Sequence, residues 1–181
     1  MFDKNKLKLI ILDRDGVVNY DSPHYIKSAS EWAPIPGSIH AIARLSNHGF
    51  KIALATNQSG LARGYFEENE LHKMHAKMQN LLQPYNAKID MINYCHHLPD
   101  DNCSCRKPGA GMLIKAMHHF NIEKESTLMI GDSLKDIQAA HNAGCFAALV
   151  KTGNGNETIN HITPETQVFT DLAGVADYLL S

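Results

Sequence analysis

The chain has 181 residues, a hydrophobic fraction of 44%, a charged fraction of 20% and a formal net charge of −2. This composition is typical of a globular protein with its own apolar core, and the balanced charge excludes the basic surface that binds nucleic acids or anionic membranes. No apolar run approaches the roughly 18 residues needed to span a bilayer, and Met1–Lys6 leaves no room for a signal peptide before the first predicted strand. We therefore expect a cytoplasmic monomer that has neither a nucleic acid nor a membrane as a partner.

Strands and helices are predicted to alternate along the chain. The predicted strands are Leu9–Leu12, Lys51–Ala55, Lys88–Tyr94, Thr127–Ile130, Phe146–Val150 and Gln167–Phe169. The predicted helices are Gly37–His48, Glu67–Leu82, Gly111–Phe120, Ser133–Ala143 and Leu172–Leu180. This alternation predicts an α/β fold built on a doubly wound parallel sheet.

Three connecting segments are long enough to enclose a substrate, namely Asn19–Pro36, Ser59–Phe66 and Cys95–Ala110. The segment Lys151–Glu165 is rich in Gly, Asn and Thr and is predicted to be a surface loop. We expect the substrate to be held by the first three segments and not by the fourth.

The first predicted strand ends in two carboxylates. Leu9–Leu12 is an apolar run without alternation, which is typical of a strand buried on both faces of a parallel sheet. Asp13 and Asp15 follow it, and ligands of such sheets bind beyond the carboxyl ends of the strands. Because neighbouring anions repel each other, we predict that a Mg²⁺ ion lies between them and the substrate. A solvated Asp-Gly turn is the alternative that these residues alone leave open.

Polar residues follow the other predicted strands as well, and together they meet the needs of phosphoryl transfer. Asp13 is the predicted nucleophile, which forms an aspartyl phosphate, and Asp15 is the predicted proton donor and acceptor. Thr56 after the second strand and Lys107 after the third are predicted to bind phosphoryl oxygens.

The predicted magnesium ligands come from two strand ends. They are the carboxylates of Asp13 and Asp132 and the backbone carbonyl of Asp15. Asp136 lies one helical turn beyond Asp132 and is predicted to orient Lys107 or a metal-bound water, without binding the metal directly.

A second metal site is predicted within residues 95–105. Three thiols and one imidazole make a closed tetrahedral shell of the kind that holds structural zinc, and the candidate ligands are Cys95, His97, Cys103 and Cys105. Zinc would stiffen the loop that delivers Arg106 and Lys107 to the phosphate. Cys145 stands apart and is predicted to be a buried, inert thiol.

Four motifs resemble those of the haloacid dehalogenase superfamily of phosphatases: Asp13-Arg-Asp15-Gly, Thr56-Asn-Gln, Lys107-Pro and Gly131-Asp132-Ser-Leu-Lys-Asp136. The resemblance extends from Leu7 to about Thr152. It implies a three-layer, Rossmann-like α/β sandwich, and the lack of a large insertion is similar to the members without a cap domain. We therefore expect one domain over residues 1–181.

Two other classes of protein share parts of this pattern. A signalling receiver domain also has a phosphorylated Asp, Mg²⁺, a Thr and a Lys-Pro pair, but its phosphoacceptor follows the third strand. It also lacks a second Asp two residues later. A catalytically silent zinc module is the other alternative, and the intact acids at the strand ends argue against it.

The zinc loop resembles those of two groups in that superfamily, the phosphatases of heptose 1,7-bisphosphate and of histidinol phosphate. The segments Asp21–Lys27, Asn57–Gly64 and Gly109–Met112 are more similar to the first group. This resemblance implies hydrolysis of the C7 phosphate of a heptose 1,7-bisphosphate, a step toward the heptose of lipopolysaccharide, with histidinol phosphate as the alternative substrate.

The expected partner is thus a small-molecule sugar bisphosphate. The predicted substrate contacts are Asp13, Arg14, Asp15, Asp21, Ser22, Pro23, His24, Thr56, Asn57, Gln58, Ser59, Arg106, Lys107 and Ser133. Arg106 is predicted to clamp phosphate as a bidentate donor. Arg63 is a further candidate that is equally consistent with a solvated loop residue.

Overall fold

The computed structural model describes residues 2–181, so that Met1, the first residue of the predicted domain, lies outside the described residues. The strands are β1 (Leu9–Leu12), β2 (Lys51–Asn57), β3 (Met91–Cys95), β4 (Thr127–Gly131), β5 (Phe146–Val150) and β6 (Gln167–Phe169). The helices are α1 (Ser38–His48), α2 (Glu68–Leu82), α3 (Gly111–Phe120), α4 (Leu134–Ala143), α5 (Gly155–Thr158) and α6 (Leu172–Leu180). The strands form a parallel sheet in the order β3-β2-β1-β4-β5-β6.

The two faces of the sheet carry separate apolar cores. Ile10 and Leu12 of β1 belong to a core that α1, α2 and α6 cover, whereas Leu9 and Ile11 belong to a core that α3 and α4 cover. Since side chains alternate across a strand, an unbroken apolar run is what a strand buried on both faces requires. The predicted three-layer, Rossmann-like α/β fold with a doubly wound parallel sheet is confirmed.

The strand order locates the ligand-binding edge. The chain adds β2 and β3 on one side of β1 and then β4, β5 and β6 on the other side. The connections leaving β1 and β4 therefore diverge, which opens a crevice at the carboxyl ends of these two strands. Within residues 2–181 the segments that join these elements contain turns and 3-10 helices of three residues each, so that no separate cap domain covers this edge.

Two details of the structure correct the predicted elements. The strand β3 begins at Met91 and not at Lys88, because the Asp90 carboxylate accepts the Ile52 N–H at 3.0 Å and so takes the place of a backbone partner. The predicted surface loop 151–165 contains α5, whose four residues are too few to show helical periodicity.

None of the helices in residues 2–181 combines the length and the apolar character that crossing a bilayer requires.

Candidate active site

Asp13 lies at the end of β1 and faces a buried lysine. Its N–H donates to the Ile130 carbonyl at 2.9 Å, which continues the pairing of β1 with β4 by one residue. Its Oδ1 accepts the Arg14 N–H at 2.7 Å and lies 2.9 Å from Lys107 Nζ. The carboxylate is thereby held at the mouth of the sheet with one oxygen engaged.

Lys107 is fixed between two carboxylates. Its side chain is 2% exposed, and Nζ lies 2.6 Å from Asp136 Oδ1 in addition to its contact with Asp13. Burial by itself lowers the pKa of Lys107, but the charges of Asp13 and Asp136 outweigh it and hold that pKa above its ordinary value. The lysine is therefore a permanent positive charge at this edge.

Asp136 links Lys107 to the start of α4. Its Oδ2 accepts the Ser133 N–H at 3.0 Å and the Ser133 hydroxyl at 2.7 Å, which completes a capping box at the helix N-terminus. Its Oδ1 is left for Lys107. The helix thus fixes the direction in which the lysine points.

Asn57 holds the backbone of Lys107 from β2. The Asn57 amide donates to the Lys107 carbonyl at 3.0 Å and accepts the Lys107 N–H at 3.0 Å. Gln58, the next residue, donates from Nε2 to the buried Thr56 hydroxyl at 2.8 Å. The end of β2 therefore positions groups from two other strands.

Asp15 is surrounded by donors. Arg14 makes a bidentate contact from Nη2, 2.9 Å from each carboxylate oxygen, while Asn19 and Gln58 donate at 2.8 and 2.9 Å. Burial raises the pKa of Asp15, but the Arg14 charge and these hydrogen bonds outweigh it and lower the pKa below its ordinary value. Arg14, a predicted substrate contact, lines the cavity described below, while its guanidinium is buried against Asp15, with Nη1 3.8 Å from the Met74 sulfur.

Asp132, at the end of β4, is held by a residue that the sequence did not single out. Its Oδ2 accepts the Asn154 N–H at 2.7 Å and the Asn154 amide at 3.1 Å. Burial raises the pKa of Asp132 to about 6, although the Asn154 N–H opposes that rise. The segment after β5 therefore belongs to the site, which corrects its prediction as a surface loop.

Two glycines let the backbone approach Asp132 closely. Gly16 (φ 81°) and Gly153 (φ 57°) both have left-handed backbones, and a Cβ on either would collide with the Asp132 carboxylate. The Thr152 hydroxyl donates to the Gly16 carbonyl at 2.6 Å and ties the two segments together. The Gly-Asn-Gly sequence two residues after β5 is the sequence signal that could have identified Asn154.

The acidic groups at this edge fit a hard divalent cation. Asp13, Asp132 and Asp136 each offer one oxygen, and these oxygens lie within 4.8 Å of one another. Within the described chain, no hydrogen bond reaches Asp13 Oδ2 or Asp132 Oδ1, which leaves both oxygens available as ligands. Burial and then the neighbouring carboxylates raise the pKa of Asp13 well above its ordinary value, against the effect of Lys107, so that a second positive charge at this edge would favour its ionised form.

A cavity of about 320 Å³ opens over these groups. Its lining includes most of the predicted substrate contacts: Asp13, Arg14, Asp15, Asp21, Ser22, Pro23, Thr56, Asn57, Gln58, Ser59, Arg106, Lys107 and Ser133. His24 and Arg63 do not line it; His24 is exposed, and its N–H donates to the Ser22 hydroxyl at 3.1 Å. The sequence missed Tyr25, Ile26, Lys135 and Asn154, which also line the cavity.

The cysteine-rich loop brings its candidate ligands together. The sulfur atoms of Cys95, Cys103 and Cys105 lie 3.2–3.6 Å apart, and His97 Nδ1 lies 3.5 Å from the first and 3.3 Å from the third. These separations exceed a disulfide bond of about 2.05 Å and are close to the edge of about 3.8 Å expected for a tetrahedron with 2.3 Å zinc–sulfur bonds. The donor set and its shape therefore fit zinc.

Comparison with known proteins places this geometry in a family. A model described as HAD-hydrolase-like matches residues 104–175. A relative from Pseudomonas aeruginosa, named D-glycero-beta-D-manno-heptose-1,7-bisphosphate 7-phosphatase, is 49% identical over 95% of this chain and 97% of its own length. A relative of the same name from Neisseria meningitidis serogroup A is 45% identical over 96% of this chain and 95% of its own length.

A solved structure agrees with this placement over the whole fold. The D,D-heptose 1,7-bisphosphate phosphatase from B. bronchiseptica, crystallised with magnesium and phosphate, superposes with a TM-score of 0.93 at 48% identity, covering 96% of this chain and 98% of its own. With relatives this similar over nearly their entire length, the chain belongs to the haloacid dehalogenase-like family of phosphatases, as its four motifs indicated.

Proposed function

We propose that this chain hydrolyses the C7 phosphate of D-glycero-beta-D-manno-heptose 1,7-bisphosphate through an aspartyl-phosphate intermediate, in the supply of heptose for lipopolysaccharide. The observation that carries this proposal is the 45–49% identity to enzymes named for that reaction, over nearly the full length of both chains. Membership of a hydrolase family argues against the receiver domain and the silent zinc module.

In the first half-reaction, the Asp13 carboxylate attacks the C7 phosphorus and the bond from phosphorus to the sugar oxygen breaks. Asp15 donates a proton to that leaving oxygen, because an alkoxide is a poor leaving group without one. The resting carboxylate of Asp15 has a lowered pKa, but a bound phosphate dianion adds negative charge beside it and raises that pKa again. The substrate thus brings Asp15 to the protonated form that it needs.

In the second half-reaction, water attacks the phosphorus of the acyl phosphate and Asp15 takes up the proton that this water releases. The donors from Arg14, Asn19 and Gln58 favour the ionised form of Asp15, which is the form required of a base. Release of orthophosphate restores the Asp13 carboxylate.

The remaining groups bind and orient the phosphate. Lys107 and the Thr56 hydroxyl donate to its oxygens, and Asp136 keeps Lys107 pointed at them. Magnesium, held by Asp13, Asp132 and the Asp15 carbonyl, supplies positive charge that offsets repulsion between carboxylate and phosphate. Arg106 lines the cavity, and its guanidinium donates two N–H groups to the second phosphate of the substrate.

The zinc site has a structural role in this proposal. Cys95, His97, Cys103 and Cys105 hold one zinc ion, and Arg106 donates from Nη1 to the His97 carbonyl at 3.2 Å, which couples the loop to the cavity wall. We further propose that residues 1–181 act as one cytoplasmic domain and as a monomer, with the sugar bisphosphate as the only partner.

The test is a magnesium-dependent phosphate-release screen. The substrates are the beta and alpha anomers of the heptose bisphosphate, fructose 1,6-bisphosphate and histidinol phosphate, each with and without excess chelator. We expect the highest kcat/KM with the beta anomer and no turnover in chelator. A kcat/KM at least about tenfold higher for histidinol phosphate, equivalent to about 1.4 kcal/mol, would overturn the assignment.

A further inference from the structure

One wall of the cavity carries an aromatic residue with a strained backbone. Tyr25 lines the cavity and has φ 65°, in the left-handed region. Within residues 2–181 the other non-glycine residues with positive φ are Asn86, Asn102 and Asn121, and asparagine tolerates that conformation far better than tyrosine does. Such an outlier persists only where its surroundings hold it, and it points to a function for the side chain.

Tyr25 is held by a ring from another loop. Its ring centroid lies 5.0 Å from that of Tyr65, with the planes at 63° in an edge-to-face arrangement. Tyr65 is 51% exposed and sits on the turn after β2, which also carries the cavity residue Ser59. Bonds from the Arg63 N–H to Ser59 O (3.1 Å) and from the Tyr65 N–H to Gly60 O (2.9 Å) fix that turn.

The far end of the Tyr25 segment is fixed as well. Trp32 is fully buried in the core that α2 covers, and Lys77 of α2 donates from Nζ to the carbonyls of Ala29 and Trp32, each at 2.7 Å. The backbone of Tyr25 is thus held by the anchor on α2 and by its own N–H, which donates to the Ser22 carbonyl at 3.0 Å. The ring of Tyr25 contacts the Tyr65 ring, so that the loss of Tyr65 would leave the Tyr25 ring less restricted at the cavity wall.

We propose that Tyr25 and Tyr65 form an aromatic clasp across the mouth of the cavity, in which Tyr25 packs on the C–H face of the sugar between the two phosphates and Tyr65 positions Tyr25. This inference rests on the proposed function, since it assigns the residues that select a sugar over a small phosphate ester. The reacting phosphate is bound by charged groups at the sheet edge, which are indifferent to what the phosphate is attached to. The C–H face of the sugar is the apolar part of the substrate, and an aromatic ring supplies a matching apolar surface at low entropic cost.

The experiment compares Tyr65→Ala, Tyr65→Phe, Tyr25→Ala and the double alanine variant, with Tyr85→Ala as the matched control. Tyr85 is also exposed and also pairs with a ring, that of His40 at 5.8 Å, but it does not line the cavity. The readouts are kcat and KM for the beta heptose bisphosphate and for methyl phosphate, a small ester with no ring, together with inhibition by orthophosphate and the midpoint of thermal unfolding.

We expect Tyr65→Ala to raise KM for the bisphosphate by about three- to tenfold, the range of a lost aromatic pair, with kcat, methyl phosphate turnover and orthophosphate inhibition within about twofold of wild type. Tyr65→Phe should restore the wild-type KM, because the ring and not the hydroxyl makes the contact. The double variant should equal Tyr25→Ala, since Tyr65 acts only through Tyr25. An unchanged KM in Tyr65→Ala, equal losses on both substrates, or a Phe variant as weak as the Ala variant would overturn the clasp.

The proposed function and the clasp fail in different ways. If wild type does not favour the heptose bisphosphate over methyl phosphate, the proposed substrate is wrong. In that case the unfolding midpoints of the four variants still test the pair, because a clasp predicts that the two alanine substitutions are not additive. Additive midpoints would overturn it whatever the substrate is.

Discussion

Asp15 contacts three donors that favour its charged form, so its removal tests the proton-transfer role directly. We expect Asp15→Asn to lower kcat for the heptose bisphosphate by about 10²- to 10⁴-fold, the usual worth of a positioned acid or base. With p-nitrophenyl phosphate the first step should survive, because nitrophenolate leaves without a proton, and the acyl phosphate should then accumulate.

The measurement is the pre-steady-state release of nitrophenolate together with steady-state release of phosphate. A burst of about one nitrophenolate per chain followed by slow turnover is expected in the variant. Equal losses on both substrates, with no burst, would remove Asp15 from the role of proton donor.

Asn154 binds Asp132 Oδ2 and leaves Oδ1 for the proposed metal, so it should affect the magnesium requirement. Asn154→Ala removes the amide contact at 3.1 Å but keeps the backbone N–H at 2.7 Å. We expect the magnesium concentration for half-maximal activity to rise about tenfold, as for other residues that orient a metal ligand, with kcat at saturating magnesium nearly unchanged.

The matched control is Asn156→Ala, which removes the same side chain from an exposed position two residues away. Activity is titrated with magnesium in both variants. An unchanged requirement in Asn154→Ala would show that its contact with Asp132 does not affect the metal site.

Some residues of the candidate site could be predicted from the sequence and others could not. Asp13, Asp132 and Lys107 could be predicted because each follows a predicted strand, and parallel strands bring their ends to one edge. The direction of the Arg14 side chain could not be predicted, since it depends on α2 packing behind it. Asn154 was missed because its segment lacks any apolar period, although the flanking glycines follow a strand just as the other site residues do.

At the scale of elements, the zinc loop supports a prediction about metal content. Cys103→Ser removes one of the sulfur atoms that lie 3.2–3.6 Å apart, and we expect the bound zinc to fall from one ion per chain to nearly none. The kcat/KM should fall on the order of tenfold because Arg106 loses its support. Part of the activity should remain, because Asn57 holds the backbone of Lys107 independently of the loop.

Zinc is measured by elemental analysis of the purified protein, next to Cys145→Ala as the control. Cys145 is buried directly before β5 and is not one of the four candidate ligands, and burial raises the pKa of its thiol to about 12, so its removal should leave the zinc in place. Full zinc content in Cys103→Ser would contradict the ligand assignment.

The bounds of helices and strands were predicted best where the periodicity of apolar residues agrees with the capping or turn residues at the ends. The bounds of β1, α3 and β5 were predicted correctly. The start of β3 was predicted three residues too early. The Asp90 side chain accepts the N–H of Ile52 in the place of a backbone carbonyl, and this contact with the neighbouring strand cannot be read from the residues of β3 alone. The helix α5 was missed because its four residues are too few to show helical periodicity.

At the scale of the whole molecule, the alternation of strands and helices was enough to predict the class of fold but not the order of the strands. In the structure, burial distinguishes the central strands from the edge strand. Every residue of β1 and β4 is buried, whereas every residue of β6 is only half-buried, as expected at the edge of a sheet. The position of β1 beside β4 is what brings Asp13 to Asp132. Long-range pairing of this kind is not encoded in any local stretch of sequence.

Because Asp13 and Asp132 lie next to each other with little exposure to solvent, the stability of the whole chain depends on pH. The pKa of Asp132 is raised to about 6 and that of Asp13 is also raised, chiefly by burial, against about 3.9 in an unfolded chain. Between these values the metal-free folded state binds more protons than the unfolded state, so these groups lower the free energy of unfolding as pH rises. His75 acts in the opposite direction, because burial lowers its pKa to about 3 and its stabilising effect is lost as pH falls below about 6.5.

Magnesium should reverse the contribution of the two aspartates. The ion binds their ionised forms, so it competes with protons, and its stabilising effect must grow as pH rises. We expect a fixed millimolar magnesium concentration to raise the midpoint of thermal unfolding more at about pH 7 than at about pH 5, and the increment to vanish in Asp132→Asn. The effect of His75 cancels in this comparison, because it is present with and without the metal. Equal increments at both pH values would mean that magnesium does not bind where these carboxylates meet.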